Sequence, residues 1–113
     1  MKYILLTFSF PLLLAMQCNQ PKTEIPSCIQ LKIDQIKALP KWNPPAEVNE
    51  YTYQGKHVYL FSADCCDQFN QLLDSNCNYI CAPSGGITGA GDMKCPDFRR
   101  ASVFVRLVWK DSR

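Results

Sequence analysis

The chain has one histidine, no Cys-x-x-Cys, no Gly-Lys-Ser/Thr triplet and no apolar run long enough to span a bilayer. Each absence removes a class of function. A single histidine confines any Ser/His/Asp or Cys/His triad to His57. Without Cys-x-x-Cys, neither a dithiol redox pair nor a zinc site has thiols at its usual spacing. The glycines form neither a phosphate loop nor a dinucleotide fingerprint set between strand and helix. Charge is also scarce. Twelve basic and ten acidic residues leave a formal +2, too small and too evenly spread for a nucleic-acid or anionic-membrane surface.

What is present is cysteine. Seven cysteines in 113 residues read as a disulfide framework in a small exported chain. The length holds one domain, and 12% aromatics with 19% charged residues mark a folded chain, not a disordered one.

Met1-Lys2 followed by the apolar run Tyr3 to Met16 falls short of the roughly 20 residues a spanning helix needs and fits a signal peptide. The expected signal segment is 1–17. It ends at Ala15-Met16-Gln17-Cys18, which resembles a bacterial lipoprotein cleavage box, with Gln17 where a small residue is usual. Lipid on Cys18 also repairs the parity, because seven cysteines leave one over. Residues 18–25 then form a lipid-anchored flexible tether, and 26–113 form the domain.

Ile29, Ile33 and Ile36 recur at helical spacing behind Ser27, a good N-cap, and ahead of Pro40. They predict an amphipathic helix over residues 28–38. Tyr51, Tyr53, Val58 and Leu60 share one face of a hairpin turning near Gln54-Gly55-Lys56, with Val48, Tyr59 and Phe61 on the other. Residues 64–69 read as a helical turn leading into a strand that ends at Leu73. Asp74 to Asn78 is dense in turn formers, and Tyr79-Ile80-Cys81 returns as a strand. The alternation from Val103 to Lys110 predicts a half-buried strand paired inside the sheet. The expected fold is α+β: one N-terminal amphipathic helix on a small twisted antiparallel sheet of four or five strands, with disulfide-stapled loops.

Several strings carry a resemblance: Cys65-Cys66-Asp67-Gln68-Phe69, Pro83-Ser84-Gly85-Gly86-Ile87-Thr88-Gly89, Lys94-Cys95-Pro96-Asp97-Phe98 and the closing Val108-Trp109-Lys110-Asp111. Together they resemble an uncharacterised family of small exported bacterial proteins, mostly lipoproteins, described as a domain of unknown function. The resemblance implies an envelope location and supplies no activity. It also implies glycine where this chain has Cys77.

The cysteine spacings in an exported chain favour disulfides over metal. The expected bonds join Cys28 and the Cys65/Cys66 pair to partners among Cys81 and Cys95. Cys65 and Cys66 are expected to face different partners. Cys77 is placed at a turn tip with positive φ, free or paired to another molecule, so that Cys77→Gly holds or raises stability. Neither metal nor cofactor is expected.

The loop from Ala82 to Lys94, with Ser84, Gly85, Gly86, Thr88, Gly89, Gly91 and Asp92, is the candidate binding element. Asp64, Asp67, Asp92 and Asp97 are alternative acid/base or ligand groups that compete with ordinary turn roles. Two functions follow. The first is a non-enzymatic, monomeric envelope module, membrane-anchored through its lipid, that presents this loop to a protein or glycan, in one form as an inhibitor. The alternative is a small metal- or carboxylate-dependent hydrolase using the Asp cluster with His57.

Overall fold

A computed structural model describes residues 24–113; the signal segment 1–17 and Cys18 lie outside the described residues. The elements are α1 (Ser27–Lys37), β1 (Glu47–Tyr53), β2 (Lys56–Phe61), β3 (Phe69–Asp74), β4 (Tyr79–Gly85), α2 (Phe98–Ala101) and β5 (Val103–Lys110). The strands make one antiparallel sheet in the order β4-β3-β2-β1-β5. The described residues are mixed α+β, mostly sheet, with two short helices and three disulfides. Among the described residues no helix is long and apolar enough to cross a membrane.

The β1–β2 hairpin sets both cores. Gln54 and Gly55 hold positive φ (52° and 74°), the backbone a tight two-residue hairpin turn requires. The turn pairs Tyr53 with Lys56 and Tyr51 with Val58, so the period of two sorts the side chains onto two faces. On one, Ile29 and Ile33 of α1 pack with Val48, Tyr59, Phe61 and Leu73. On the other, Tyr53, Val58 and Leu72 pack with Cys81, Cys95 and Phe98, flanked by Tyr51 and Leu60. Phe98 stands edge-on to Tyr51 and Tyr53 at 5.1 and 5.3 Å, and the Tyr53 hydroxyl donates to Asp97 at 2.7 Å. Both hairpin faces are therefore covered, each where the alternation places it.

Four local expectations need correction. Pro26, not Ser27, occupies the N-cap of α1, with no side-chain cap hydrogen bond. Residues 64–68 form a turn closed by Gln68 N–H donating to Cys65 O at 3.0 Å, not a helix. β5 is an edge strand and not an interior one. It pairs with β1 through two register shifts and leaves Val103, Phe104, Val105 and Leu107 exposed. Alternating apolar residues fit an edge as well as an interior position, because alternation reports faces and says nothing about neighbours.

The fourth correction concerns the sulfurs. Cys28 bonds Cys77, Cys65 bonds Cys66, and Cys81 bonds Cys95. Cys77 does sit in a turn with positive φ (62°), but the turn is not remote from the helix. Leu73, just before it, packs against Ile29 and Ile33, and Cys77 itself packs on that cluster. The β3–β4 turn thus lies beneath the first turn of α1, where Cys28 waits 6.0 Å away, Cα to Cα. With those four sulfurs paired, the turn at 64–68 brings Cys65 and Cys66 together. Three disulfides in so short a chain indicate an oxidising, extracytoplasmic environment.

The far end of α1 is held by charge. Asp111, 3% exposed, accepts from Arg113 Nη2 at 2.7 Å and Nε at 3.0 Å. Arg113 Nη1 donates to the Lys37 and Leu39 carbonyls at 3.0 and 2.9 Å, which caps the last turn of the helix. The Arg113 guanidinium outweighs burial and holds the Asp111 carboxyl down at about 2. A depressed folded value means the clamp acts fully above the ordinary carboxylate pKa of about 4 and is lost as pH falls toward about 2. Asp111→Asn should therefore lower the melting temperature at neutral pH and converge with wild type below about pH 2. Melting curves across pH check both halves.

Candidate functional site

β4 leaves the sheet at Gly85, and the chain returns to Cys95 beneath it, closed by the Cys81–Cys95 bond. Cys81 and Cys95 are both buried in the second core, so the base of the loop is fixed to the sheet. Above it the backbone hydrogen-bonds to itself, to β4 and to the 64–68 turn. Gly86 N–H donates to Gln68 O at 3.0 Å, Gly91 N–H to Gly85 O at 3.0 Å, and Asp92 N–H to Ala82 O at 2.9 Å. Gly89 N–H reaches Gly86 O, and Ala90 N–H reaches the Thr88 hydroxyl. These N–H groups already have acceptors, so they do not form an open anion nest.

Three glycines are required by contact as well as by φ, the first being Gly85 (φ 84°), whose Cβ would stand 2.5 Å from the Gln68 carbonyl oxygen. A Cβ on Gly91 (φ 75°) would overlap the Ala82 carbonyl oxygen, and one on Gly86 (φ 76°) would meet the Phe69 ring at 2.5 Å. Gly86 is itself buried and lies against that ring. Ser84 is held by Asn70, whose Nδ2 donates to its hydroxyl at 3.0 Å while its Oδ1 accepts from Ala63 N–H at 2.8 Å.

Asp92 closes the return limb. It accepts from the Tyr79 hydroxyl and from Lys94 N–H. Burial pushes its carboxyl up, but the bonds from Tyr79, Lys94 and Ala82 prevail and leave it below the usual range. Desolvation and the Asp92 carboxylate push the Tyr79 phenol up to about 12. Tyr79 therefore stays protonated at neutral pH and serves as a donor, not a nucleophile.

The loop's candidates are thus gathered, but into a scaffold. What that scaffold offers to solvent is Ile87, 90% exposed at the tip between Gly86 and Thr88. Sequence reasoning missed it, because one apolar residue among glycines shows no periodicity. The available signal was local: an isoleucine inside a Gly-Gly-x-Thr-Gly string has no element to bury it.

The aspartates are dispersed. Asp97 pairs with Tyr53 and Asp92 with Tyr79, Asp64 lines a groove on the α1 face, and Asp67 is exposed in the 64–68 turn. His57, an exposed strand residue opposite Thr52, is bonded through Nδ1 to Glu50 at 3.1 Å, not to any of the four. Glu50, 5% exposed, also accepts from Arg106 Nε at 3.2 Å, which compensates its burial. Among the described residues no group of three or more His, Cys, Asp or Glu is placed to hold a metal ion.

A family described as a domain of unknown function, DUF6970, matches residues 34–111. The chain belongs to that family. The match runs from the middle of α1 to Asp111 and takes in the whole Cys81–Cys95 loop. Of the bonded cysteines among the described residues of this DUF6970 chain, only Cys28 lies before the matched range. A comparison with curated proteins and one with solved structures each gave no match.

Proposed function

We propose that this DUF6970 chain is a non-enzymatic envelope module whose Cys81–Cys95 loop inserts Ile87 into an apolar pocket on a protein partner. One observation carries the reading. Among the described residues, the most exposed of the large apolar side chains stands at the tip of a loop otherwise tied down by a disulfide and backbone bonds. Transferring a fully exposed isoleucine into an apolar pocket contributes about 1.5–3 kcal/mol. A pre-ordered loop loses little conformational entropy on docking. This is also the geometry of an inhibitor loop.

In the same reading Cys18 carries lipid, residues 18–25 tether the domain to the membrane, and α1 acts as an amphipathic brace on the sheet. Ala15-Met16-Gln17-Cys18 and the Cys65-Cys66-Asp67 and Pro83 to Gly89 strings support it. Cys18→Ala should move the protein from the membrane fraction to the soluble one; wild-type protein that is soluble with an unmodified N-terminal peptide overturns the anchor.

The loop is tested by a photo-crosslinking residue at position 88, in the intact envelope, with Ile87 kept or changed to Asp. The expected result is one discrete protein adduct that disappears in Ile87→Asp while the melting temperature holds, because the side chain touches little of the domain. An adduct that persists in the variant contradicts the reading.

A further inference from the structure

On the opposite face of the sheet from Phe98, α1 and β3 part to leave a groove of about 320 Å³. We infer that this groove binds a neutral saccharide, through aromatic platforms at Trp42 and Phe69 and the amides of Gln35, Gln68 and Gln71. The site is separate from the loop tip and stands or falls independently of it.

The placement follows from the two periodicities. Phe69, Gln71 and Leu73 alternate onto one face of β3, while Lys32, Gln35 and Ile36 form one stripe of α1. Both rows line the groove, and Trp42, in the connector after α1, lines it with Asp64 and Gln68 of the disulfide-closed turn. The volume lies at the small end of the roughly 300–1,000 Å³ usual for ligand sites.

The lining chemistry selects the ligand class. The side-chain amides of Gln35, Gln68 and Gln71, the Asp64 carboxylate and the Trp42 indole N–H make no hydrogen bond to the protein among the described residues. An amide carries donors and an acceptor side by side, the pattern that neighbouring sugar hydroxyls present in reverse. The face of an aromatic ring is electron-rich and accepts the C–H face of a pyranose by weak C–H contacts. Phe69 is 45% exposed and has Gly86 packed against its ring, so the platform is braced from the Gly-rich loop.

Other classes fit less well. An anionic ligand would meet one cation, Lys32, and one opposing carboxylate, Asp64. A purely apolar ligand would desolvate three amides without giving them partners. A neutral polyol with an apolar ring face satisfies both halves of the lining.

The test uses the oxidised full-length chain, titrated with cellotetraose, chitotetraose and maltotetraose, with tetragalacturonate as the anionic control. Amide and indole NMR shifts report the site. At least one neutral probe should shift Gln35, Trp42, Gln68, Phe69 and Gln71, with little response to the control. Gln71→Ala, at an exposed position, should keep the melting temperature and weaken binding about tenfold. Trp42→Ala should abolish it, Trp42→Phe should restore part of it, and Ile87→Asp should leave it unchanged. The proposal is overturned if no neutral probe shifts these residues up to its solubility limit. Tighter binding of the uronate, or a folded Gln71→Ala that binds as wild type, also overturns it.

Discussion

Replacing Cys77 by serine lowers the melting temperature of the oxidised protein by roughly 15–30 °C. The bond to Cys28 spans 49 residues, and in the chain-entropy account a loop of that length contributes about 4 kcal/mol. In a domain of this size each kcal/mol moves the midpoint by about 4–8 °C. The comparable figure for Cys81–Cys95, separated by 14 residues, is about 3 kcal/mol. Cys77→Gly should recover only a small part of that loss. It relieves the positive φ at 77, a gain of about 1 kcal/mol, but removes the disulfide that ties α1 to the β3–β4 turn. A midpoint that holds or rises in either variant, measured by calorimetry, contradicts the assignment of Cys77 as a staple.

The second large effect is expected at Gly91. Gly91→Ala must either keep the left-handed backbone, at about 1–2 kcal/mol, and displace the Ala82 carbonyl that its Cβ would overlap, or leave that conformation altogether. Either response breaks the Asp92 N–H bond to Ala82 O and loosens the return limb. A total loss of about 2–4 kcal/mol follows from strain and the broken bond together. Gly89 is the internal control. It has a similar φ of 77° with nothing within 4 Å of its Cβ position, so Gly89→Ala should lose only about 1–2 kcal/mol. Equal losses at the two positions, by denaturant titration, would show that the loop does not close on β4 as described.

The β1–β2 hairpin was legible because its evidence is local. Strict alternation assigns Tyr51, Tyr53, Val58 and Leu60 to one face whichever turn register holds, and those residues line the Phe98 core. The disulfides were not legible, and the reason is geometric. The distance along a strand correctly separates Cys77 from Cys81, but no local rule places the 75–78 turn beneath residue 28. That contact is set by how α1 crosses the sheet. The edge position of β5 was hidden for a related reason: its alternation is the same with one neighbour or two. At the loop, the glycines were legible as an ordered element. Their role as packing surfaces for Phe69 and Ala82 depends on elements brought together only by the fold.

The loop, the helix brace and the extracytoplasmic setting all rest on which sulfurs pair, and peptide mapping of the non-reduced protein decides that directly. Chymotryptic cuts at Phe69 and Tyr79 separate Cys65-Cys66, Cys77 and Cys81 onto different fragments. With a tryptic cut at Lys94 added to part Cys81 from Cys95, the account predicts one fragment pair joining Cys28 to Cys77 and one joining Cys81 to Cys95. The Cys65-Cys66 fragment should be unlinked and lighter by one pair of hydrogens. A free Cys77, or Cys65 and Cys66 linked to separate fragments, would contradict it.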